Sequence, residues 1–207
     1  MSTLKPFKGY RPRPELAQKL ASYPYDVINS EEARELAADN EYSFLHVVKP
    51  EIDLPEGTNL YDESVYQMAK TNTQKFLQEY MIQDAEPRLY LYKQKMGEHE
   101  QVGIIGAAAV EEYEKDIIKK HEYTLKKKED DRTRHVDITN VNAGPVFLTY
   151  RAQPEIDAIV NRIIGEDEPI YDFTPAEDDI RHTLWLVEKA EDLQALSTLF
   201  QEKVPTL

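Results

Sequence analysis

The sequence predicts an α+β fold, with a mixed or antiparallel sheet and packed helices. Apolar residues recur at helical spacing in some segments and form short strand-like runs in others. Two strand-like runs flank the turn GEHE, and another two flank TPAEDD, which is typical of hairpins. Because this pattern mixes hairpin-like strands with helices, it favours α+β over a doubly wound parallel sheet.

The first third of the chain is predicted to hold an arm, two helices and a strand. Prolines at positions 6, 12 and 14 favour an extended arm, followed by a short helix in ELAQKLASY. Ser30 is the predicted N-cap of a helix that runs to about Asp39, because acidic residues fill its first turn. YSFLHVVKP is predicted to be a strand that ends at Pro50.

The middle of the chain is predicted to form a long helix and a hairpin. Apolar positions from Tyr61 to Tyr80 fall at helical spacing, which indicates an amphipathic helix. PRLYLYKQKM and QVGIIGAAAVEEY are the predicted hairpin strands. The second strand is nearly all apolar or small, so we expect it inside a sheet.

The last third is predicted to contain helices, a turn and three more strands. A helix begins at about Leu125, and TNVNAGPVFLTY is a turn that leads into a strand, Val146 to Tyr150. PEIDAIVNRII is a helix that Gly165 ends. EPIYDF and RHTLWLV form a β-pair, and AEDLQALSTLFQEK is a further helix.

The length and composition predict a single α+β domain over residues 1–207. Apolar residues make up 41% of the 207 residues, enough for a core, and no repeat or Ser/Gly linker divides them. The apolar ending VPTL has the character of a strand start. We therefore expect the chain to be the N-terminal part of a longer protein.

The charge and the residue types exclude several classes of protein. With 25 Lys and Arg against 39 Asp and Glu, the net charge of −14 repels nucleic acid and anionic lipid, so neither is an expected partner. The absence of cysteine excludes disulfides and thiolate metal sites. MSTLKPFKGYRPRPE has no apolar signal core, and no apolar run approaches the roughly 20 residues of a membrane span. A cytoplasmic protein is expected, of unspecified oligomeric state.

One stretch, residues 119–135 (KKHEYTLKKKEDDRTRH), stands out against this acidic background. It holds seven of the 25 Lys and Arg and two of the five histidines. A solvated helix with i,i+4 ion pairs is the ordinary interpretation of such a run. The alternative is a site that binds an anion.

The residue types in this stretch suit phosphate chemistry. Arg132 offers a planar fork for an anion and Lys128 a point charge. His121 can move a proton near neutral pH, while Glu122 or Asp131 could act as a base or contact a magnesium ion. No histidine pair has zinc-binding spacing, and there is no Gly-rich phosphate loop or Gly-x-Ser-x-Gly elbow.

Two turn-like segments supply further candidate ligand residues. SYPYDV could present Tyr25 and Asp26 on a loop that proline makes rigid, with support for a cis bond. NVNAGP could orient a substrate through the amides of Asn140 and Asn142. Ordinary turn chemistry also explains both segments, and it is the default interpretation.

Six segments occur in an order that carries a family resemblance: KPFKGYRP, YPYDVINSEE, LYLYKQ, IKKHEYT…KKEDDRTRH, NAGPVFLTY and IRHTLWLV. Over essentially its whole length the chain resembles the domain-of-unknown-function family numbered 1015, found in bacteria and archaea. The most specific pieces are Pro24-Tyr25-Asp26-Val27 and the pairing of His121-Glu122-x-Thr124 with Glu129-x-Asp131-Arg132. The resemblance therefore adds Thr124 to the candidate residues and favours a functional interpretation of the charged stretch.

The resemblance also implies a chemistry. Family members are usually about twice as long and carry Ala-Asp-Gly-His-His-Arg beyond the point where this chain stops. That motif is similar to a box in ParB-like and sulfiredoxin-like proteins, a wider group that includes free-serine kinases. The implied reaction is phosphoryl transfer to or from a small hydroxy amino acid, with ATP or ADP and magnesium.

Two hypotheses from different classes follow. In the first, the full protein is a small-molecule phosphotransferase in which His121, Lys128 and Arg132 line the phosphate. Its substrate is then positioned by three other side chains, Tyr25, Asp26 and Asn142. In the second, the domain is a non-catalytic ligand- or protein-binding module, and the charged stretch is a surface helix. A DNA-binding role conflicts with the net charge.

Overall fold

A computed structural model describes residues 1–121, 123–175 and 179–207. Within these ranges the helices are α1 Ala17–Leu20, α2 Ser30–Ala37, α3 Leu45–Val48, α4 Glu63–Lys75, α5 Val110–Glu114, α6 Lys126–Thr139, α7 Pro154–Glu166 and α8 Ala190–Lys203. The strands are β1 Tyr10–Pro12, β2 Met81–Gln83, β3 Leu89–Met96, β4 His99–Ile105, β5 Tyr171–Phe173 and β6 Arg181–Val187. The α+β prediction is confirmed.

The strands form two sheets. β1 pairs with β2, and the other four form an antiparallel sheet in the order β4-β3-β6-β5. The chain divides into two compact units. The sheet unit comprises Met1–Gly9, Gln83–Glu122 and Phe147–Leu207, and the helical unit comprises Tyr10–Ile82 and Tyr123–Val146. One domain over residues 1–207 stays a prediction.

The sheet unit is built on one covered face of the four-stranded sheet. Leu89 and Leu91 of β3 lie beside Trp185 and Val187 of β6, because the strands pair in that register. Helices α7 and α8 bring their apolar residues onto the same cluster, with Ile156, Ile163, Leu196 and Phe200 all nearly inaccessible to solvent. Burial of this apolar surface is the main stabilising contribution to the unit.

The hairpin predicted around GEHE is confirmed, but the position of its second strand is not. β3 and β4 are joined by Gly97 and Glu98, and Gly97 has φ of 58°, as a two-residue hairpin turn requires. β4 ends at Ile105, and Val110–Glu114 is helical rather than extended. The strand lies at the edge of the sheet rather than inside it, because among the strands of the described residues only β3 pairs with it.

The helical unit has its own core. It combines Leu20, Ala33, Ala37, Leu45, Val47, Val48, Ile52, Phe76 and Tyr80. The long helix predicted from Tyr61 to Tyr80 is confirmed as α4, which continues into a π-helical turn, Phe76–Tyr80. The cap of α2 is one residue earlier than predicted. Asn29, not Ser30, accepts the N–H groups of Glu31 and Glu32, and the helix ends at Ala37.

Three other local predictions were wrong. YSFLHVVKP forms α3 and the start of a 3₁₀ turn, because Leu45, Val48 and Ile52 are buried together at helical spacing. The strand predicted at Val146 to Tyr150 is irregular, and its first residue is 80% exposed. α7 continues through Gly165 to Glu166, so that glycine does not end the helix.

Candidate functional site

The charged stretch forms α6, which begins at Lys126, one residue beyond the predicted start. His135 is the residue of this 14-residue helix that is buried. A helix that is polar on nearly all sides lacks the apolar stripe that usually attaches a helix to a core. Polar and cation–π contacts with neighbouring elements must therefore contribute much of its attachment.

Helix α4 supplies most of these contacts. The hydroxyl of Tyr66 donates to Oδ1 of Asp131 at 2.7 Å. The guanidinium of Arg134 lies 4.1 Å from the Tyr66 ring centroid and pairs with Glu63. The ammonium of Lys127 lies 4.0 Å from the centroid of Tyr61, just before α4. Cation–π and charge-assisted contacts of this kind replace apolar packing between the two helices.

These side chains line an open surface depression of about 510 Å³ in the helical unit. Its lining consists of Tyr61, Tyr66, Lys126, Lys127, Asp130, Asp131 and Arg134. Three of these side chains are cationic and two are carboxylates, so the depression carries a small positive excess in a chain of net charge −14. The lining thus combines cations, which suit an anionic group, with two aromatic rings, which can pack against a planar one.

Arg132 has a partner within the stretch itself. Its Nε and Nη2 donate to Oδ2 of Asp131 at 2.9 and 2.7 Å. Its guanidinium also stacks on Tyr25, with Cζ 4.6 Å from the ring centroid. The structure therefore brings three predicted site residues together, but the fork of Arg132 is engaged with a carboxylate.

The loop that carries Tyr25 is a turn. The N–H of Val27 donates to the carbonyl of Pro24 at 3.2 Å, and Asp26 is exposed in the middle of the turn. The sequence indicated that this loop could support a cis peptide bond, but within the described ranges all peptide bonds are trans. The turn interpretation explains the backbone, while the stack with Arg132 attaches the loop to α6.

The first turn of α6 is electrostatically unusual. Leu125 precedes the helix and offers no side-chain cap, and Lys126, Lys127 and Lys128 then occupy the positive end of the helix dipole. Lys126 pairs with Asp130 at 2.5 Å, whereas Lys128 is exposed. Lysines at this end interact unfavourably with the helix dipole, an effect that Glu129 in the same turn offsets in part.

Among the described residues, the remaining predicted site residues make no side-chain hydrogen bond or ion pair with this cluster. Thr124 is exposed just before α6, and His121 is an exposed residue of the sheet unit. Asn140 ends α6 with φ of 54°, a left-handed conformation that asparagine tolerates, and Asn142 is exposed after it. Glu122 lies outside the described residues.

The cluster contains residues that the sequence did not single out. Tyr66 and Asp131 are 65 residues apart in the chain, and the pattern of α4 alone indicated only a helix face. Burial, and then the hydrogen bond to Asp131, raise the pKa of Tyr66 to about 12, so its hydroxyl remains a donor at neutral pH. Tyr61 was missed for the same reason, whereas Lys127 and Arg134 lie in the charged stretch but no sequence signal distinguished them from their neighbours.

The carboxylates of the cluster are engaged with protein donors. Asp131 accepts from both Tyr66 and Arg132, and Asp130 pairs with Lys126. Across the side chains that the structure describes, no group of three His, Asp or Glu is placed to hold a metal ion. A magnesium contact by Asp131 or Glu122 stays a prediction.

Two histidines of the helical unit serve the fold. Nε2 of His135 lies 3.0 Å from the Val47 carbonyl, and burial lowers the pKa of His135. Nδ1 of His46 lies 2.8 Å from Asp53, and this bond raises the pKa of His46. The two rings therefore contribute to stability with opposite pH dependence.

The lowered pKa of His135 gives a testable pH dependence. The folded state holds a neutral ring, so the contribution of His135 is present above the unfolded pKa of about 6.5 and is lost as pH falls through the lower folded pKa. In urea unfolding at several pH values, wild type should lose stability on acidification relative to His135→Gln. The effect of His46 is common to both proteins and cancels. A difference that does not change with pH would contradict the assignment.

The fold and the cluster define an α+β protein with a polar, lysine-rich helix beside an open depression. Residues 4–207 match a family described as "Protein of unknown function (DUF1015)", and the chain belongs to this family. The resemblance predicted from the sequence is thereby confirmed. Comparisons with curated proteins and with solved structures gave no match. Within the described ranges, no helix combines the length and apolarity needed to cross a membrane.

Proposed function

We propose that this domain binds the phosphate groups of a small molecule at the N-terminal end of α6. The observation that carries the proposal is the first turn of that helix, where three successive lysines follow a residue with no capping side chain. An anion placed there would satisfy free N–H groups, oppose the lysine charges and interact favourably with the helix dipole. The bound anion would thus remove the unfavourable electrostatics of this turn.

The depression beside this turn supports a ligand larger than phosphate alone. Its volume of about 510 Å³ lies within the usual range for small-molecule sites. Tyr61 is 37% exposed and offers aromatic surface at the rim. ATP or ADP combines the two features that this lining suits, a polyphosphate for the lysines and a base for an aromatic ring.

The phosphotransferase hypothesis extends this proposal. The family resemblance supports transfer between a nucleotide and a hydroxy amino acid such as serine, with the Ala-Asp-Gly-His-His-Arg motif of longer members completing the site. Lys128 is then the phosphate contact, with Arg132 released from Asp131 to reach it. The proton-transfer roles of His121 and Glu122 are not part of this proposal and stay predictions from the sequence, and Thr124 stays a predicted phosphate contact.

The alternative is a non-catalytic ligand- or protein-binding module. One observation favours it: Lys126, Arg132 and Arg134 already pair with carboxylates of the helical unit. Under this hypothesis the ion pairs hold a solvated helix together and no anion displaces them. The two hypotheses differ in whether the lysines of the first turn bind phosphate.

The test removes two of these lysines. Binding of ATP, ADP and inorganic phosphate to Lys127→Gln/Lys128→Gln is measured by calorimetry, with and without magnesium. Each charge-assisted contact is worth about 1.5–3 kcal/mol, so we expect at least a tenfold loss of affinity. The matched control, Lys8→Gln/Lys70→Gln, changes the net charge equally at two exposed positions elsewhere and should bind as wild type does.

Two outcomes would overturn the proposal. If wild type binds none of the three compounds, the module hypothesis is favoured. If both double variants lose affinity equally, the effect comes from net charge and not from α6. Phosphoryl transfer to serine is a separate measurement, made on a longer family member beside this chain, and its failure would leave phosphate binding intact.

A further inference from the structure

The outer edge of β4 is an open strand edge in the sheet unit. β4 is seven residues long and pairs with β3 from Met96↔His99 to Tyr90↔Ile105. The pair that closes a two-residue hairpin is hydrogen-bonded, so alternate residues from His99 bond to β3. The N–H and C=O groups of Glu100, Val102 and Ile104 therefore point away from the sheet.

No other part of the described chain covers this edge by backbone bonding. The backbone hydrogen bonds recorded outside the regular elements include none to Glu100, Val102 or Ile104. Residues 99–102 are all exposed, and Val102 is 39% exposed. The opposite edge strand, β5, is only three residues long, which is a common way of limiting unwanted pairing.

β4 has few of the features that usually protect an edge. It has no proline and no lysine, and its charged residue, Glu100, pairs with Lys95 of the neighbouring strand at 2.9 Å. Val102, Ile104 and Ile105 make the strand apolar towards its end. An exposed, regular and partly apolar edge of this length is a template for another strand.

We propose that β4 pairs antiparallel with the β4 of a second copy of this chain, about a two-fold axis at Val102. The two four-stranded sheets would then join into one continuous sheet. The outward-pointing groups are symmetric about Val102, so Glu100 of one copy meets Ile104 of the other and both are in bonding positions. Closed two-fold pairing uses up the edge in both copies.

The local charge at this edge does not oppose a second copy as the occupant. In this register no carboxylate faces another across the junction, because Glu100 lies opposite Ile104 and the two copies of Val102 face each other at the axis. The acidic chain, with a net charge of −14, thus meets its copy along a segment that is nearly neutral. Like charges placed directly opposite one another would have opposed this pairing.

Two variants interrupt the junction without touching the bonds between β4 and β3. Val102→Lys places two ammonium groups at the axis, and Val102→Pro removes an N–H that points away from β3. Gln101→Lys is the matched control, because it adds the same charge at the neighbouring exposed residue, whose backbone faces β3. Circular dichroism confirms that each variant is folded.

The expected result is a change of mass in sedimentation at one protein concentration. Wild type and Gln101→Lys should sediment at twice the 24.0 kDa of one chain, and both Val102 variants at 24.0 kDa. Amide hydrogen exchange at Glu100 and Ile104 should be slower in wild type than in Val102→Lys by at least about tenfold.

Three results would overturn the proposal. Wild type at 24.0 kDa up to its solubility limit would leave the edge to a strand of a different protein. Val102 variants that keep the doubled mass would place the contact elsewhere. A wild-type dimer whose Glu100 and Ile104 amides exchange as fast as in Val102→Lys would do the same.

Discussion

Replacing Leu91 by alanine should lower the free energy of unfolding by about 3 kcal/mol, within a range of about 2–5. Leu91 is fully buried in β3, between Ile104 on β4 and Trp185 on β6, and belongs to the cluster that α7 and α8 cover. The cost is the sum of the lost transfer free energy of the removed methyl groups and the free energy of the cavity that they leave in a covered sheet. For a chain of this size the thermal midpoint should fall by roughly 10 °C.

The matched control is Met96→Ala at the end of the same strand. Met96 is 59% exposed, so its truncation should change stability by less than about 0.5 kcal/mol. Trp185, the single tryptophan, reports the sheet unit by fluorescence, while circular dichroism reports both units. Coincident transitions would support one domain over residues 1–207, and separate transitions would contradict it. Equal losses in both variants would contradict the placement of Leu91.

Replacing Asp131 by alanine should cost about 2 kcal/mol, more than replacing Tyr66 by phenylalanine. Asp131 accepts from Tyr66, whose side chain is only 2% exposed, and from Arg132. Its loss leaves a buried hydroxyl without its acceptor and a guanidinium without its carboxylate. Tyr66→Phe removes the hydroxyl itself, so the unsatisfied group on that side disappears.

A double-mutant cycle isolates the hydrogen bond. In Tyr66→Phe/Asp131→Ala the cost should be smaller than the sum of the two single costs, with a coupling of at least about 1 kcal/mol. Additive costs would show that Tyr66 and Asp131 do not interact in solution. A phosphate affinity that survives in a folded Asp131→Ala protein would separate the structural role of Asp131 from the role proposed for the lysines.

The structure pairs several charges of residues 119–135 with other side chains, and anion binding by this stretch stays a proposal. Arg132, Arg134 and His135 contact other elements of the helical unit and help hold α6 in place. Lys127 also contacts Tyr61 and Lys126 pairs with Asp130, but all three lysines of the first turn stand where the helix dipole disfavours them. Local disagreement between a sequence and its structure is common at functional sites, which is why the proposal rests on that turn.

The long helix and the hairpins were predictable because their signals are local. The apolar spacing from Tyr61 to Tyr80 depends on one helix face, and it gave α4 with its π-helical extension. A short turn with glycine between two strand-like runs gave β3 and β4. The start of α6 was placed within one residue.

The errors arose where distant contacts outweighed local preference. YSFLHVVKP has β-branched residues and a following proline, yet packing against α2 and α4 made it helical. The apolar run in β4 suggested an inner strand, but apolar character does not state how many neighbours a strand has. Because β4 is an edge strand and not an inner one, its apolar residues lie beside an open edge.

The sequence by itself determined the α+β class, the family, the main helices and the position of the unusual charged stretch, because periodicity and composition act over neighbouring residues. Only the tertiary structure decided which charges are already paired, that Tyr66 meets Asp131 across 65 residues, and which strand forms the sheet edge. These properties depend on contacts between distant segments, whose free energy is set by burial and geometry that no local pattern records.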